Sequence, residues 1–439
     1  METELIRNYV DSLDANGYFN GAIAVRHKGK TIFCKGYGMA DYGFGVHNTS
    51  NTRFKIGSLS KAFTAMAILP LEKQGVLRRE EPISRFFSDF PGGDQITVHH
   101  LLSHMSGVAD FASHPDYWTR MMRLPATMQT LMEAIKELPP EFGPGSHAGY
   151  SNSGYTILAA IIEKVTGLSY GEYMDENVFK PLGMENTGTD DGRKVISQYA
   201  QGYTLDRDIR RAEWIDMTVA TGAYSIYSTA EDLLRWDRAL DGESIFGREP
   251  FVKMFARHNE LCGYDWFFTD EEIDGISRTS WEHFGDVNGF ASYYLRYPEE
   301  ELSVIVLSNF GLTPVDRIAK DVASIVFEQK DYVLDSPASI VPDERLIAAI
   351  TGTYSSEKGQ LNIFSEGDRV FAALPKMYGV VYNCEIIPVA ADCGQVSFKG
   401  KHLNDELIID LQQQSMTHTD PYGTRIRYLK KATNLEEDL

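Results

Sequence analysis

The chain has 439 residues, 43% of them hydrophobic and 24% charged, a globular composition too long for one ordinary core, so two or three domains are expected. Its 62 acidic residues outnumber 42 Lys and Arg, a formal net charge of -20. That speaks against a phosphate-binding face for nucleic acid and against anionic membrane surfaces. Four cysteines show no paired metal-ligand spacing and read as free thiols. With no basic-then-apolar leader at the start and no run of about 18 apolar residues, a cytoplasmic protein is expected.

Residues 1–18 carry apolar positions at helical spacing. Strand patterns follow at 21–27 and 30–34, joined by Lys28-Gly29, which predicts a hairpin. After an extended lead-in at 53–56, Ser58 opens a helix predicted to run to Gln74 and stop at Gly75, with Pro70 expected to kink its last turn. Thr97 is placed to cap a helix over 97–104. Further helices are predicted over 155–165, before Gly167, and onward from Thr229. The acidic stretch Asp270, Glu271, Glu272 and Asp274 is expected to be a solvated loop. Strand patterns return at 291–297 and 302–307, and 315–328 reads as a closing helix. This order predicts an α/β (α+β) domain over 1–335, in which one antiparallel sheet flanked by helices is assembled from both ends around a helical subdomain. Pro337 and Pro342 mark a linker. From 340 to 432, alternating runs at 360–364, 370–374, 386–389, 395–398, 406–411 and 425–429 predict a small antiparallel β-barrel domain.

The chemistry centres on Ser58-Leu59-Ser60-Lys61. Residues three apart on a helix share a face, so a hydroxyl sits beside an amine able to take its proton. A serine nucleophile needs such a base, a group to polarise the carbonyl, and a proton for the leaving group. At a helix N-terminus the dipole favours developing negative charge, and the Ser58 backbone N–H can face an oxyanion. Lys61 can act as a base only if burial or nearby cations lower its pKa from about 10.4. Tyr150, held near Lys61, can relay the proton as phenolate, and Asn152 offers an amide to Lys61 or to a substrate carbonyl. His100 and His104 lie four apart, but no glutamate follows the first and no third ligand is evident, so a structural role is expected and no metal. Residues 149–153 lack the final glycine of a nucleophile elbow, which sets Ser151 aside.

Taken in order, Ser58-x-x-Lys61, Tyr150-x-Asn152 and His283-x-Gly285 resemble the three motifs of the penicillin-recognising serine hydrolases. The tyrosine motif resembles the branch that holds class C β-lactamases, D-alanyl-D-alanine peptidases and D-aminopeptidases. Residues 96–107, 144–146 and 224–232 resemble recurring stretches of the same branch. The resemblance implies a β-lactamase/transpeptidase-like fold with Ser58 as nucleophile and Lys61 as its basic partner. It implies Tyr150 as proton relay, Asn152 as substrate-orienting amide, His283 in the place of a lysine, and the backbone N–H after Gly285, at Asp286, as second oxyanion donor. Whether Lys61 or Tyr150 is the base stays open. A histidine at 283, mostly uncharged at neutral pH, is expected to weaken recognition of a substrate carboxylate and to favour amides, esters or amino-terminal peptide bonds.

Residues 340–432, with Gly352-Thr353-Tyr354, resemble the lipocalin-like barrel appended to some D-aminopeptidases, where a barrel loop can reach the active-site mouth. Residues 415–422 are expected to be that loop, with Asp420 meeting a substrate ammonium. The implied activity is hydrolysis, through an acyl-enzyme, of short peptides or amides, D-amino-acid substrates among them, with no metal or organic cofactor. Alternatives are a carboxylesterase on the same residues and a penicillin-binding acyl-sensor that does not turn over. The implied partner is a small-molecule or short peptide substrate, not nucleic acid or membrane, with a homo-oligomer left open.

Overall fold

The computed structural model describes residues 1–241, 246–376 and 379–431. A six-stranded antiparallel sheet forms the centre of the N-terminal part, in the order Phe267–Ile273, Ile276–Val287, Phe290–Tyr297, Leu302–Ser308, Gly21–His27 and Lys30–Tyr37. The earliest strand pairs with the latest, Ile23 opposite Val306, so the sheet is closed by segments from the two ends of this part. Successive side chains of a strand point to opposite faces. Ile23 and Val25 accordingly pack with the helices Glu2–Ala15 and Val315–Glu328, while Ala22 and Ala24 face the helical stretch between. Lys28 and Gly29 take φ of 48° and 75°, the positive values that a two-residue hairpin turn demands.

Several elements differ from their sequence expectation, each for a local reason. The helix Ser60–Lys73 runs through Pro70, whose carbonyl still accepts from Gln74 N at 2.9 Å. Almost every residue of that helix is buried, so packing supports the turn that lacks the proline N–H. The Thr97-capped helix spans only Val98–Leu102, because His104 turns into left-handed backbone at φ 56°. The helix expected from Tyr155 starts at Asn152, with Ser151 Oγ capping Gly154 N at 3.3 Å. Asp270, Glu271 and Glu272 are not in a loop. They lie on the edge strand Phe267–Ile273, where Thr279 donates to Asp270 at 2.7 Å, and charged side chains guard a sheet edge against unwanted pairing.

The C-terminal barrel is closed and antiparallel throughout. Its strands are Gly352–Ser356, Gly359–Glu366, Arg369–Pro375, Val381–Asp392, Gln395–Gly400, Glu406–Asp410, Ser415–Thr419 and Arg425–Lys430. The ends meet at Tyr354 opposite Lys430. Inward side chains such as Leu361, Ile386, Phe398 and Ile409 fill the interior, as expected for a barrel of this size. The same apolar cluster takes in Tyr203, Leu205, Phe310 and Leu312, so the barrel is seated on the N-terminal part by a shared core. Polar contacts flank that core: Arg207 N donates to Asn383 O at 2.7 Å, and Arg369 meets Asp208 at 2.7 Å. Residues 415–422 are not the loop expected of them, since Ser415–Thr419 pairs on both sides within the barrel. Among the described residues no helix is long and apolar enough to cross a membrane.

Candidate active site

Phe54–Lys55 pairs with Ile226–Ser228 and delivers the chain to a tight turn, Gly57–Leu59, that leads into the Ser60–Lys73 helix. Two glycines let this turn lie against the strand Ile276–Val287. A Cβ on Gly57, whose φ is +54°, would sit 2.5 Å from Asp286 N, and one on Gly285 would sit 2.1 Å from Ile56 O. Any side chain at either position pushes the two segments apart. The Asp286 backbone nitrogen is thereby held beside the residue that precedes Ser58.

Lys61 lies one turn beyond Ser58 and is fully buried. Its Nζ donates to Ser58 Oγ at 3.0 Å and to Ala223 O at 3.0 Å. Burial pushes its pKa down to about 8, against the opposing pull of the Asp265 and Asp110 carboxylates. The Tyr150 hydroxyl donates to Ser58 Oγ at 2.7 Å from the other side, and Lys61 Nζ stands 4.7 Å from the centre of the Tyr150 ring. Positions 58, 61 and 150 therefore converge on one oxygen. Asn152 lines the same cavity, but both its N–H and its Nδ2 donate to Asp110 Oδ2, at 3.0 and 2.8 Å. Its Oδ1 is buried with no protein partner and is the end of the amide left to receive a donor.

His283 is buried in the cavity wall. Its Nδ1 lies 2.8 Å from the Phe284 carbonyl oxygen, and its Nε2 faces Asp265 Oδ2. Both partners are acceptors, so both ring nitrogens are engaged within the protein. Neither ring nitrogen of His283 is therefore left for a substrate carboxylate. Burial works against the Asp265 carboxylate, but the imidazoles of His283 and His104 hold its pKa below the usual range. His104, weighed in the sequence only as a metal candidate, turns inward and places Nε2 3.0 Å from Asp265 Oδ1. Asp265 itself sits in no motif, and nothing in the sequence near it signals a role.

A cavity of about 860 Å³ opens over Ser58. Its walls are largely aromatic, with Tyr117, Trp118, Tyr224 and Phe267 among them, and its acidic members are Glu282 and Asp286. Among the described residues no Lys or Arg lines it. The barrel contributes Val380, next to the strand Val381–Asp392, and not the segment expected. Asp420 is turned to local work: its Oδ1 accepts from Tyr422 N at 2.9 Å and Thr424 N at 2.8 Å. It borders a separate cleft with Lys376 and Thr313 and not the cavity over Ser58, where the expectation had placed it.

Comparison with known proteins agrees with this fold. The family described as Beta-lactamase matches residues 5–326, and the chain belongs to that family. A putative penicillin-binding protein, PbpX, of Bacillus subtilis is 31% identical over 257 residues, which span 57% of this chain and 61% of that protein, less than two thirds of its length. A teichoic acid D-alanine hydrolase of Staphylococcus aureus is 29% identical over 332 residues, covering 74% of this chain and 78% of the relative. The octameric penicillin-binding protein homologue from Pyrococcus abyssi superposes with a TM-score of 0.64 at 24% identity, covering 97% of this chain and 99% of that one, so the similarity of fold extends through the barrel.

Proposed function

We propose that the chain is a serine hydrolase that acts through an acyl-enzyme on amide or peptide bonds of small substrates. The observation that carries this reading is the convergence of Lys61 Nζ and Tyr150 Oη on Ser58 Oγ, at 3.0 and 2.7 Å. Ser58 Oγ attacks the carbonyl carbon and gives its proton to the Lys61–Tyr150 pair. A pKa near 8 leaves part of the Lys61 population neutral and able to accept at physiological pH. The backbone N–H groups of Ser58 and Asp286 stabilise the oxyanion. The same pair returns the proton to the departing amine as the carbon–nitrogen bond breaks. A water then attacks the ester, its proton follows the same route to Ser58 Oγ, and the carboxylic acid leaves. The arrangement requires neither metal nor organic cofactor.

The favoured substrates carry an amino group and no carboxylate near the scissile bond. Two features of the cavity support this: no Lys or Arg lines it among the described residues, and both ring nitrogens of His283 are engaged. D-configured amino acids are proposed from the likeness to the teichoic acid D-alanine hydrolase. An esterase would use the same residues, and an acyl-sensor would form the adduct and keep it. The test compares p-nitroanilides of D- and L-amino acids with p-nitrophenyl esters, with intact-mass spectrometry of the protein during turnover. A transient adduct on the native chain, absent from Ser58→Ala, and faster cleavage of the D-anilides are expected. Turnover of esters alone would dispose of the amidase reading, and an adduct that persists would dispose of the enzyme.

A further inference from the structure

Asp265 is fully buried, and each of its carboxylate oxygens meets a different imidazole, Oδ1 that of His104 and Oδ2 that of His283. His104 and Asp265 both adopt left-handed backbone, φ 56° and 61°, which residues other than glycine seldom take. Such strain persists only where the surroundings over-determine it, and it concentrates at functional sites. His104 Nδ1 accepts the Ser151 N–H at 3.2 Å, so its own proton sits on Nε2 and is donated to Asp265. The ring held in this way rests against two tyrosines, its centre 4.7 Å from that of Tyr150 and 5.1 Å from that of Tyr155.

We propose that Asp265 is a positioning residue for hydrolysis at Ser58. By binding His104 it fixes the ring against which Tyr150 lies, and its carboxylate favours the Lys61 ammonium against the burial that disfavours it. This rests on the reading of Ser58 as nucleophile with Lys61 and Tyr150 as its proton carriers. The groups that face Lys61 are Ser58, the Ala223 carbonyl and the rings of Tyr150, Tyr155 and Tyr224, with the carboxylates of Asp265 and Asp110 acting on it by charge. Those that face Asp265 are His104 and His283, with the Cys262 thiol close by. A carboxylate at 265 thus does what a purely structural hydrogen-bonding group there would not: it favours the Lys61 ammonium while keeping His283 paired. The sequence separation of 104, 265 and 283 hides the arrangement until the chain is folded.

The test is the pH profile of kcat/KM for the native chain, Asp265→Asn and Asp265→Glu on the best anilide, with thermal unfolding to establish the folded fraction. Asparagine keeps a hydrogen-bonding shape but removes the anion that favours the Lys61 ammonium. The acid limb is therefore expected to move about one pH unit lower, and kcat to fall about tenfold or more. Glutamate is expected to return the limb to its native position. A folded Asp265→Asn protein with native limb and native kcat overturns the proposal. Should that variant not fold, His104→Gln carries the test: it keeps a donor for Asp265 but removes the ring beside Tyr150. A tenfold loss of kcat then supports the proposal and native kcat overturns it. Ser58→Ala run alongside separates the two readings. If it retains turnover, the assignment of the nucleophile has failed; if it is inactive while the Asp265 variants behave as native, only the positioning role has.

Discussion

Replacing Lys61 with methionine is expected to abolish turnover and to stabilise the folded chain at neutral pH. The pKa of Lys61 falls from 10.5 to about 8 on folding, because the fully buried ammonium has lost its water. That difference corresponds to a cost of about 3 kcal/mol for the charged form. Methionine removes the charge and fills much the same space. It also leaves the buried Ala223 carbonyl without the Lys61 donor, a loss of about 1–2 kcal/mol. The net expectation near pH 7 is a gain of about 1–2 kcal/mol. The sign of the pH dependence follows from the depressed folded pKa. Between about 8 and 10.5 the unfolded lysine binds a proton that the folded one does not, so native stability rises across that window. The variant lacks this rise, and above 10.5 it should be the less stable protein by the value of the lost hydrogen bonds. Urea unfolding of both proteins over a series of pH values measures the difference directly, since other titrating groups largely cancel. A stability difference of one sign and one size at every pH would refute the reasoning.

If a neutral Lys61 is required, kcat/KM should climb about tenfold per pH unit up to a limb near 8 and then level, measured on a substrate with no titrating group of its own. Tyr150→Phe keeps the ring against His104 and removes the hydroxyl 2.7 Å from Ser58. Acylation should slow by about 10²–10⁴ with little change in thermal stability, as read from the rate of adduct formation. Gly285→Ala places a methyl 2.1 Å from Ile56 O and 2.4 Å from Ser292 Oγ. It should lower stability by about 1–3 kcal/mol and kcat by about a hundredfold, because it drives Asp286 away from the Ser58 turn. Calorimetry and steady-state kinetics on the same preparation check both effects.

Much of this protein is legible because it is local. Ser58 and Lys61 must share a face once the segment is helical, since three residues make nearly one turn. Thr229 and Gly167 bound their helices through capping hydrogen bonds and a left-handed turn that involve only near neighbours. The alternation of residues 360–364 and 395–398 predicts barrel strands for the same reason. Tyr150 and Ser58 are not local to each other, but each belongs to a motif whose resemblance to one family ties them together. The acidic residues 270–272 and the segment 415–419 escape this local reading, because polar residues on an edge or barrel strand carry the same composition as a loop. Only pairing with Thr279 or Tyr428 distinguishes the two.

What the amino-acid order determined by itself was therefore the set of elements and the chemistry of the Ser58 turn: helix starts, strand alternation, and a hydroxyl and an amine one turn apart. Tertiary structure alone decided the electrical state of the site. The proton affinity of Lys61 and the pairing of His283 depend on which groups exclude water from them and which carboxylate stands nearby. Asp265 reaches them from far along the chain by a path that no local pattern records. Burial and Coulombic contact are properties of position in space, and position in space exists only after the whole sheet has closed.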